Sequence, residues 1–268
     1  MRVACLDLPA LPLQLVWRRE PELRERAVVV IDEDRPQGVV VWACERARAT
    51  GVLPGQRYAH ALSSCRDLRA RVVAPEIIEA AIAELRTVLH ALSPRVEPGE
   101  EPGTFWLDGA GLQRIFDSAS AWGMKIMQAV TGLGLAGAVV VGFSRFATYA
   151  IARATREGIT VLRADADERA AASAVPLARL DIDPKLRDSL ARLGVMTLGQ
   201  MVRLPGGGIL ERFGRDAYRL YQLAAGERWD PLVPVAPPEA PDEHVLLDDD
   251  EQDIERLVFF LKAAIDRL

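Results

Sequence analysis

The stretch SPRVEPGEEPGTFWLDGAG, residues 93–111, is the one from which the fold is predicted. Its core TFWLD, 104–108, is an apolar run closed by an acid and by Gly-Ala-Gly, which predicts a central strand that ends in a turn. The opening run RVACLDL, 2–8, predicts a second buried strand of the same kind. We expect these strands to bring Asp7 and Asp108 to one edge of a sheet, where carboxylates can hold Mg²⁺.

The composition is that of an ordinary globular protein, with 268 residues of which 50% are hydrophobic and 26% charged. No apolar run reaches the ~18 residues that span a bilayer, and the first residues lack a signal-peptide pattern. No membrane partner is therefore expected. Cys5, Cys44 and Cys65 are widely spaced without CxxC pairs, which favours a protein of the reducing cytoplasm over a disulfide-bonded one.

Charge is unevenly distributed along the chain. The net charge is −5 overall, but residues 229–268 alone carry −8, which leaves residues 1–228 at +3. A mildly basic body permits contacts with nucleic-acid phosphates without demonstrating them.

The order of predicted elements indicates an α+β fold. A first strand is followed by a small α/β insertion and then by alternating helices and strands, which suits a sheet with helices on one face. We predict strands at 27–32, 38–42, 72–74, 136–143 and 159–162, and helices at 43–50, 58–64, 75–92, 112–131 and 144–156.

Beyond residue 166 the pattern changes to short helices separated by glycines, predicted at 183–193, 197–204, 209–213 and 215–225. Helix pairs joined by glycine turns resemble helix-hairpin-helix units, which bind the DNA backbone through amides and helix N-termini. Gly206, Gly207, Gly208 and Arg212 are therefore candidate DNA-backbone contacts, although the glycine run equally suits a plain loop. A proline-rich linker and a last amphipathic helix follow, and we expect the protein to continue beyond Leu268.

Five stretches, in the right order, together resemble the Y-family DNA polymerases, the lesion-bypass group. The strand ending at Asp7 stands where that family has its first metal-binding aspartate. The other four stretches are PELRERAVVV at 21–30, CERARATGVLPG at 44–55, SPRVEP at 93–98, and residues 190–204 with RFG at 212–214. The resemblance covers about residues 1–235.

The resemblance implies a Y-family polymerase-like palm and fingers followed by an all-helical thumb. The implied domains are a palm at 1–10 and 72–165, fingers at 11–71, a thumb at 166–232, a linker at 233–242 and the start of a little-finger domain at 243–268. Asp7 would be a residual metal ligand, with Mg²⁺ as a cofactor only in that case, or simply a strand-end acid. Arg48 would be the fingers arginine on the nucleotide phosphate, or a solvated charge.

The departures from the family pattern concern the catalytic acids first. The family's second motif, SIDEAFLD, supplies an adjacent Asp-Glu pair. Counted back from Leu107 and Asp108, that pair falls on Gly103 and Thr104; counted forward from the Ser-Pro at 93–94, it falls on 102–103. Neither register places a carboxylate there, and Glu100 and Glu101 are expected to point elsewhere.

The contacts to nucleotide and DNA depart as well. The family's second amino-terminal acid, its ribose-screening aromatic, its fingers tyrosine, its palm lysine and its thumb Gly-x-Gly hairpin fall on Pro9, Pro12, Glu45, Ala147 and 181–183 (Asp-Ile-Asp). Two-metal catalysis needs carboxylates on both ions, so the departures indicate a catalytically inactive homologue with no bound cofactor.

The pattern resembles the ImuB-type members, which implies a nucleoid-associated adaptor in bacterial DNA-damage-induced mutagenesis. The expected partners are an error-prone C-family DNA polymerase, an ImuA-type RecA-like protein, weakly bound DNA, and the sliding clamp through a region beyond Leu268. Three alternatives stay open. They are an active polymerase that uses Asp7, Asp108 and Glu100 or Glu101, a protein-interaction module without DNA binding, and a nucleotide sensor acting through Arg48.

Overall fold

The computed structural model describes residues 2–236 and 253–266. The chain separates into two compact units, Met1–Val235 and Ala236–Leu268. Most of the predicted linker and the first ten residues of the predicted little-finger domain lie outside the described residues. The residue bounds predicted for the domains of the first unit stay a prediction.

Eight strands lie within the described residues. They are β1 Val3–Asp7, β2 Val28–Ile31, β3 Val40–Ala43, β4 Arg69–Arg71, β5 Val96–Pro98, β6 Thr104–Asp108, β7 Ala138–Gly142 and β8 Gly158–Val161. The brief strand predicted at 72–74 instead forms at 69–71, where it pairs in parallel with β2.

The described residues form eleven α-helices and three short 3-10 helices. The α-helices are α1 Leu11–Arg19, α2 Glu45–Ala49, α3 Tyr58–Ser64, α4 Pro75–His90, α5 Ala119–Gly132, α6 Arg145–Thr155, α7 Asp165–Ser173, α8 Pro184–Arg192, α9 Leu198–Val202, α10 Gly206–Ala225 and α11 Ile254–Ile265. The 3-10 helices are Pro21–Glu25, Leu112–Arg114 and Leu177–Arg179.

The five-stranded sheet has the order β5-β6-β1-β7-β8, with β7 and β8 parallel and the other neighbours antiparallel. All residues of β1, β6 and β7 are buried, which requires cover on both faces of the sheet. Side chains alternate between the faces along each strand, so Ala4 and Leu6 pack with α4 and α5, whereas Val3 and Cys5 pack with α6. The expectation of helices on one face only was therefore wrong.

The pairing of β1 with β6 corrects the expected meeting of Asp7 with Asp108. The strands are antiparallel, so Asp7 lies opposite Thr104 and Asp108 lies opposite Val3. At about 3.4 Å per residue, the two acids are separated by roughly 13 Å along the sheet. Asp108 instead accepts hydrogen bonds from Arg95 Nη1 at 3.1 Å and from the Ala110 amide at 2.8 Å.

The insertion between β1 and α4 forms a small α/β layer with its own core. Its sheet has the order β3-β2-β4, and the predicted hairpin of β2 and β3 is confirmed by their antiparallel pairing. Helix α1 connects the two layers, because Leu11 and Leu15 pack in the core of the five-stranded sheet while Leu13 and Val16 pack with β2.

The segment from α7 to α10 is helical, as the glycine spacing predicts, but the bounds of α10 differ from the predicted ones. Gly206–Gly208 form the first turn of α10 rather than a loop. The two helices predicted on either side of Gly214 are joined through that residue, whose φ of 83° and ψ of −172° interrupt the helical geometry. The break predicted at Gly214 is therefore present as a kink within one helix, and no loop separates the two parts.

The second unit is described only as α11, an amphipathic helix capped by Asp253, whose side chain accepts from the Glu255 amide at 2.9 Å. Within the ranges that the structure describes, no helix combines the length and the apolar character needed to cross a membrane.

Candidate functional site at the end of the central strand

Asp7 is the last residue of β1, and its side chain is only 2% exposed. Because it follows Val3 and Cys5 at intervals of two, its carboxyl faces α6. Thr104, directly opposite on β6, donates from Oγ1 to Asp7 Oδ1 at 3.2 Å. A neutral hydroxyl thus lies beside the one acid that the strand contributes.

Gly103, the residue before Thr104, cannot carry a side chain in this backbone. Its φ is 104°, and a Cβ atom would lie 2.5 Å from the Leu8 carbonyl oxygen. The Leu8 amide also donates to the Gly103 carbonyl at 2.9 Å, which holds the two chains together at this point. An acidic residue at 103 would require the loop to move.

Arg153 on α6 supplies the positive charge that Asp7 contacts. Its Nη1 lies 3.3 Å from Asp7 Oδ1 and 3.3 Å from Glu101 Oε1, and its Nη2 lies 3.2 Å from Glu101 Oε2. The side chains of Arg153 and Glu101 are 18% and 19% exposed. The prediction that Glu101 points away from the site was wrong, whereas Glu100 is exposed.

Burial governs the electrostatics of this cluster. It raises the pKa of Asp7 and of Glu101, and the Arg153 charge offsets only part of the shift in each case. Tyr149, one turn before Arg153 on α6, has its pKa raised to about 12, mainly by burial. The carboxylates therefore depend on the guanidinium for compensation of their charge.

These residues do not fit a magnesium site as they are arranged. Mg²⁺ prefers several oxygen ligands at about 2.1 Å in octahedral geometry, and here the space between the two carboxylates contains a guanidinium. In the described residues, no group of three or more His, Cys, Asp or Glu side chains is placed to hold a metal ion.

A second charge cluster lies further along the same helix face. Arg145 stacks on the Trp106 ring at 4.0 Å and forms ion pairs with Glu97 and Asp230. Trp106 also contacts Tyr149, with their ring centroids 5.9 Å apart. Arg145, Tyr149 and Arg153 recur every four residues, so one stripe of α6 contacts the sheet. Sequence reasoning missed this stripe, although its spacing was readable.

A family comparison identifies the architecture. The impB/mucB/samB family of Y-family polymerases matches residues 6–152, more than half of the chain. The chain belongs to this family. The fold is accordingly a Y-family polymerase-like palm and fingers with a helical thumb, as the sequence resemblance implied.

Curated relatives carry two kinds of name. The chain is 24% identical over its whole length to DNA polymerase IV 1 of Mesorhizobium japonicum, covering 61% of that protein. It is 25% identical to DNA polymerase IV of Legionella pneumophila strain Paris over 87% of the chain and 66% of the relative. It is 26% identical to Protein ImuB of Caulobacter vibrioides strain NA1000 over 68% of the chain and 39% of the relative. The chain thus spans less than two thirds of these relatives.

Solved structures agree on the fold. DinB from Sulfolobus solfataricus superposes with a TM-score of 0.74 at 19% identity, over 87% of this chain and 69% of that one. An insertion ternary complex of Dbh DNA polymerase gives a TM-score of 0.71 at 19% identity, over 100% of this chain and 79% of that one.

In the fingers, Arg48 lies on α2, where it is exposed and its Nε donates to the Ala43 carbonyl at 3.0 Å. Glu45, which the sequence resemblance assigns to the family's tyrosine position, forms an ion pair with Arg156 of the palm at 2.6 Å. The predicted phosphate contact of Arg48 stays a prediction, since no ligand is present.

In the thumb, Gly206, Gly207 and Gly208 open α10, and a Cβ atom at Gly207 or Gly208 would meet nothing within 4 Å. Arg212 lies exposed on the same helix. Asp183, in the segment that the sequence resemblance assigns to the family's hairpin, caps α8 by accepting from the Lys185 amide at 3.0 Å. The acid at 183 therefore has a local structural role.

Proposed function

We propose that this chain is a non-catalytic, Y-family polymerase-like adaptor in bacterial DNA-damage-induced mutagenesis and translesion synthesis. The observation that supports this most strongly is the composition of the palm site. Thr104 stands opposite Asp7, Gly103 has no room for a side chain, and Arg153 contacts the one strand-end acid. A site of this kind lacks the carboxylates that two-metal catalysis requires.

Primer extension tests the absence of catalysis. We expect no nucleotide incorporation on a primed template with Mg²⁺ or with Mn²⁺, under conditions in which the Legionella pneumophila DNA polymerase IV extends the primer. Extension by this chain that disappears on Asp7→Ala would contradict the proposal, because that result would place the chemistry at this site. Extension that persists in Asp7→Ala would indicate a contaminating polymerase.

A second candidate is an active polymerase with a reduced ligand set, which the relatives named DNA polymerase IV favour. Asp7 and Glu101 both contact Arg153, so displacement of that one side chain would leave two carboxylates facing a common space. Under this alternative, Asp7→Ala and Glu101→Ala each abolish incorporation, and Asp108→Ala does not, since Asp108 pairs opposite Val3 at the other end of the strand.

The adaptor role implies weak DNA binding through phosphate contacts. Residues 177–228 hold nine basic and six acidic residues, a small excess of positive charge in the thumb. Fluorescence anisotropy of a labelled primer–template at low salt separates this reading from a protein-interaction module without DNA binding. We expect an affinity that falls steeply as salt rises.

The proposed protein partners are an error-prone C-family DNA polymerase, an ImuA-type RecA-like protein and the sliding clamp. Support comes from the similarity to Protein ImuB of Caulobacter vibrioides, which covers 39% of that protein. Sedimentation of this chain with each purified partner would test the assignment. Complex formation with the C-family polymerase or the ImuA-type protein supports the proposal, and failure of this chain to bind either of them contradicts it.

A further inference from the structure

We propose that Arg153 takes the place of a divalent cation in the palm and, through the same guanidinium, links the palm to the thumb. This inference rests on the proposed absence of a catalytic metal site. It concerns what has replaced the metal, and it assigns Arg153 as a positioning residue rather than a catalytic one.

The contacts of Arg153 reach three separate segments. Nη1 bonds to Asp7 at the end of β1, and both Nη atoms contact Glu101 in the loop before β6. Nε donates to the Arg179 carbonyl oxygen at 3.3 Å, in the 3-10 helix Leu177–Arg179. These segments lie 146, 52 and 26 residues from Arg153 in the sequence. One side chain therefore joins the palm strand, the palm loop and the start of the thumb.

The thumb segment is held at the same place by a neighbouring side chain. Tyr149 packs against the same hydrophobic cluster as Leu177 and Leu180. Residues 177–180 thus lie against the stripe of α6 that carries the guanidinium. Loss of the Arg153 contacts should loosen this segment before it affects the rest of the thumb.

The charges explain why a cation is needed here. Asp7 is 2% exposed and Glu101 is largely buried, and two carboxylates brought together in a poorly solvated site repel each other strongly. A metal ion would compensate that charge in a site of two-metal type. Arg153 compensates it permanently and forms directional hydrogen bonds, which a spherical ion does not do.

Hydrogen–deuterium exchange of Arg153→Met tests the link. We expect amides in 99–104 and 177–182 to exchange at least about tenfold faster than in the wild type, which corresponds to about 1.4 kcal/mol. The insertion and α5 should be unchanged. Arg187→Met is the matched control, because Arg187 is on α8 of the thumb and its ion pair with Asp188 is 3.7 Å long and exposed. It should leave both segments at wild-type rates.

Two further variants keep the test decisive if Arg153→Met folds poorly. Arg153→Lys keeps the charge but loses the Nε donor and the paired Nη contacts, so segment 177–182 should exchange at an intermediate rate. Adding Asp7→Asn and Glu101→Gln to Arg153→Met removes the uncompensated charge, so 99–104 should recover protection while 177–182 stays fast.

Wild-type exchange in both segments of Arg153→Met would overturn the inference, as would an equal increase over the whole chain. The exchange result is independent of primer extension. If the wild type incorporates nucleotides and Arg153→Met exchanges fast in both segments, the non-catalytic function is refuted while the contact of Arg153 with the thumb segment is supported. If the wild type incorporates no nucleotides and Arg153→Met exchanges at wild-type rates, the non-catalytic function is supported while the role proposed for Arg153 is refuted.

Discussion

Gly103 is one of the two residues that the sequence resemblance assigns to the family's acidic pair. A positive φ and a Leu8 carbonyl oxygen 2.5 Å from the position of a Cβ atom leave no space for any side chain. Thr104, the adjacent residue, faces Asp7 but offers a hydroxyl. Replacing these two residues with acids would therefore not by itself rebuild a metal site, since the backbone at 103 would have to change as well.

Gly103→Ala should destabilise the protein by about 1–3 kcal/mol from backbone strain alone, and further through overlap with the Leu8 carbonyl oxygen. Gly111→Ala is the control, because Gly111 has a similar φ of 78° but a Cβ atom there would meet nothing within 4 Å. Urea unfolding measures both. Equal losses in the two variants would show that the close approach of Leu8 has no energetic effect.

Asp7 and Arg153 show which parts of the site could be predicted from the sequence and which could not. Asp7 could be predicted because it closes a short apolar run, and the structure places Thr104 opposite it. The assignment of Thr104 to the family's acidic position stays a prediction. The direction of the β1–β6 pairing could not be read from two similar strands, so Asp108 was misplaced. The role of Arg153 depends on partners up to 146 residues away, which no local pattern contains.

Helix α6 is the element on which the site depends, and its start is held by Glu168 of α7. Glu168 is 4% exposed, and its Oε1 accepts from the Phe143 amide at 2.7 Å and from the Ser144 amide at 3.2 Å. Ser144 caps the helix, so a carboxylate stands at the positive end of the α6 dipole. The sequence predicts the Ser144 cap but not the contact of Glu168. Glu168 is on α7, which is separated from Ser144 in the sequence by α6 and β8, so no local pattern places it there.

Glu168 should make stability depend on pH. Burial raises the pKa of Glu168, with the two backbone amides opposing the shift. Since the folded-state pKa is raised, the ionised carboxyl lowers stability above that pKa, and stability is regained as pH falls through it. In Glu168→Gln the urea midpoint should therefore rise less on mild acidification than in the wild type.

The exposed residue Glu157 provides the control for this titration. Glu157→Gln should retain the wild-type pH dependence, and Glu168→Ala should cost about 1–3 kcal/mol at every pH through unsatisfied amides. A Glu168→Gln profile parallel to that of the wild type would show that this carboxyl does not titrate in the range measured.

The edge strand β5 is the second element with a testable connection. Glu97 accepts from Arg145 and from the Val233 amide at 2.7 Å, and the Val235 amide donates to Val96 at 3.0 Å. The residues predicted to begin an extended linker therefore pair with the sheet edge. The proline content predicts extended backbone here, but it could not show that residues 233–235 dock on the sheet.

Glu97→Ala should destabilise the protein by about 3 kcal/mol, because it leaves Arg145 partly buried with one ion pair instead of two. Exchange of the Val233 and Val235 amides should accelerate more than exchange in α5. Glu84→Ala is the control. It removes the ion pair with Arg18, whose side chains are 43% and 36% exposed, and it should have little effect on stability. Unchanged exchange at 233–235 in Glu97→Ala would contradict the docking.

At the scale of the whole molecule, the order of stretches allowed the fold to be predicted, and the family match confirms it. The function requires more than the fold, since relatives of the same architecture are named both DNA polymerase IV and ImuB. A polymerase-shaped chain can bind DNA without acting on it, and the small positive excess of the thumb predicts such weak binding.

Arg212→Ala should weaken primer–template binding and lower the slope of log K against log salt by about 1, as expected for the loss of one phosphate contact. Arg35→Ala, which removes an exposed arginine from the fingers hairpin, should leave the slope unchanged. An affinity that does not respond to salt in the wild type would favour the protein-interaction module without DNA binding.

A titration of the wild-type chain with Mn²⁺, followed by electron paramagnetic resonance, tests most directly whether the palm holds a metal ion. We expect no ion bound at the palm, and therefore the same binding curve for the wild type and for Asp7→Ala. Tight binding of one or two Mn²⁺ ions that is lost in Asp7→Ala would contradict it, because the Asp7 carboxylate would then be a metal ligand despite its contact with Arg153.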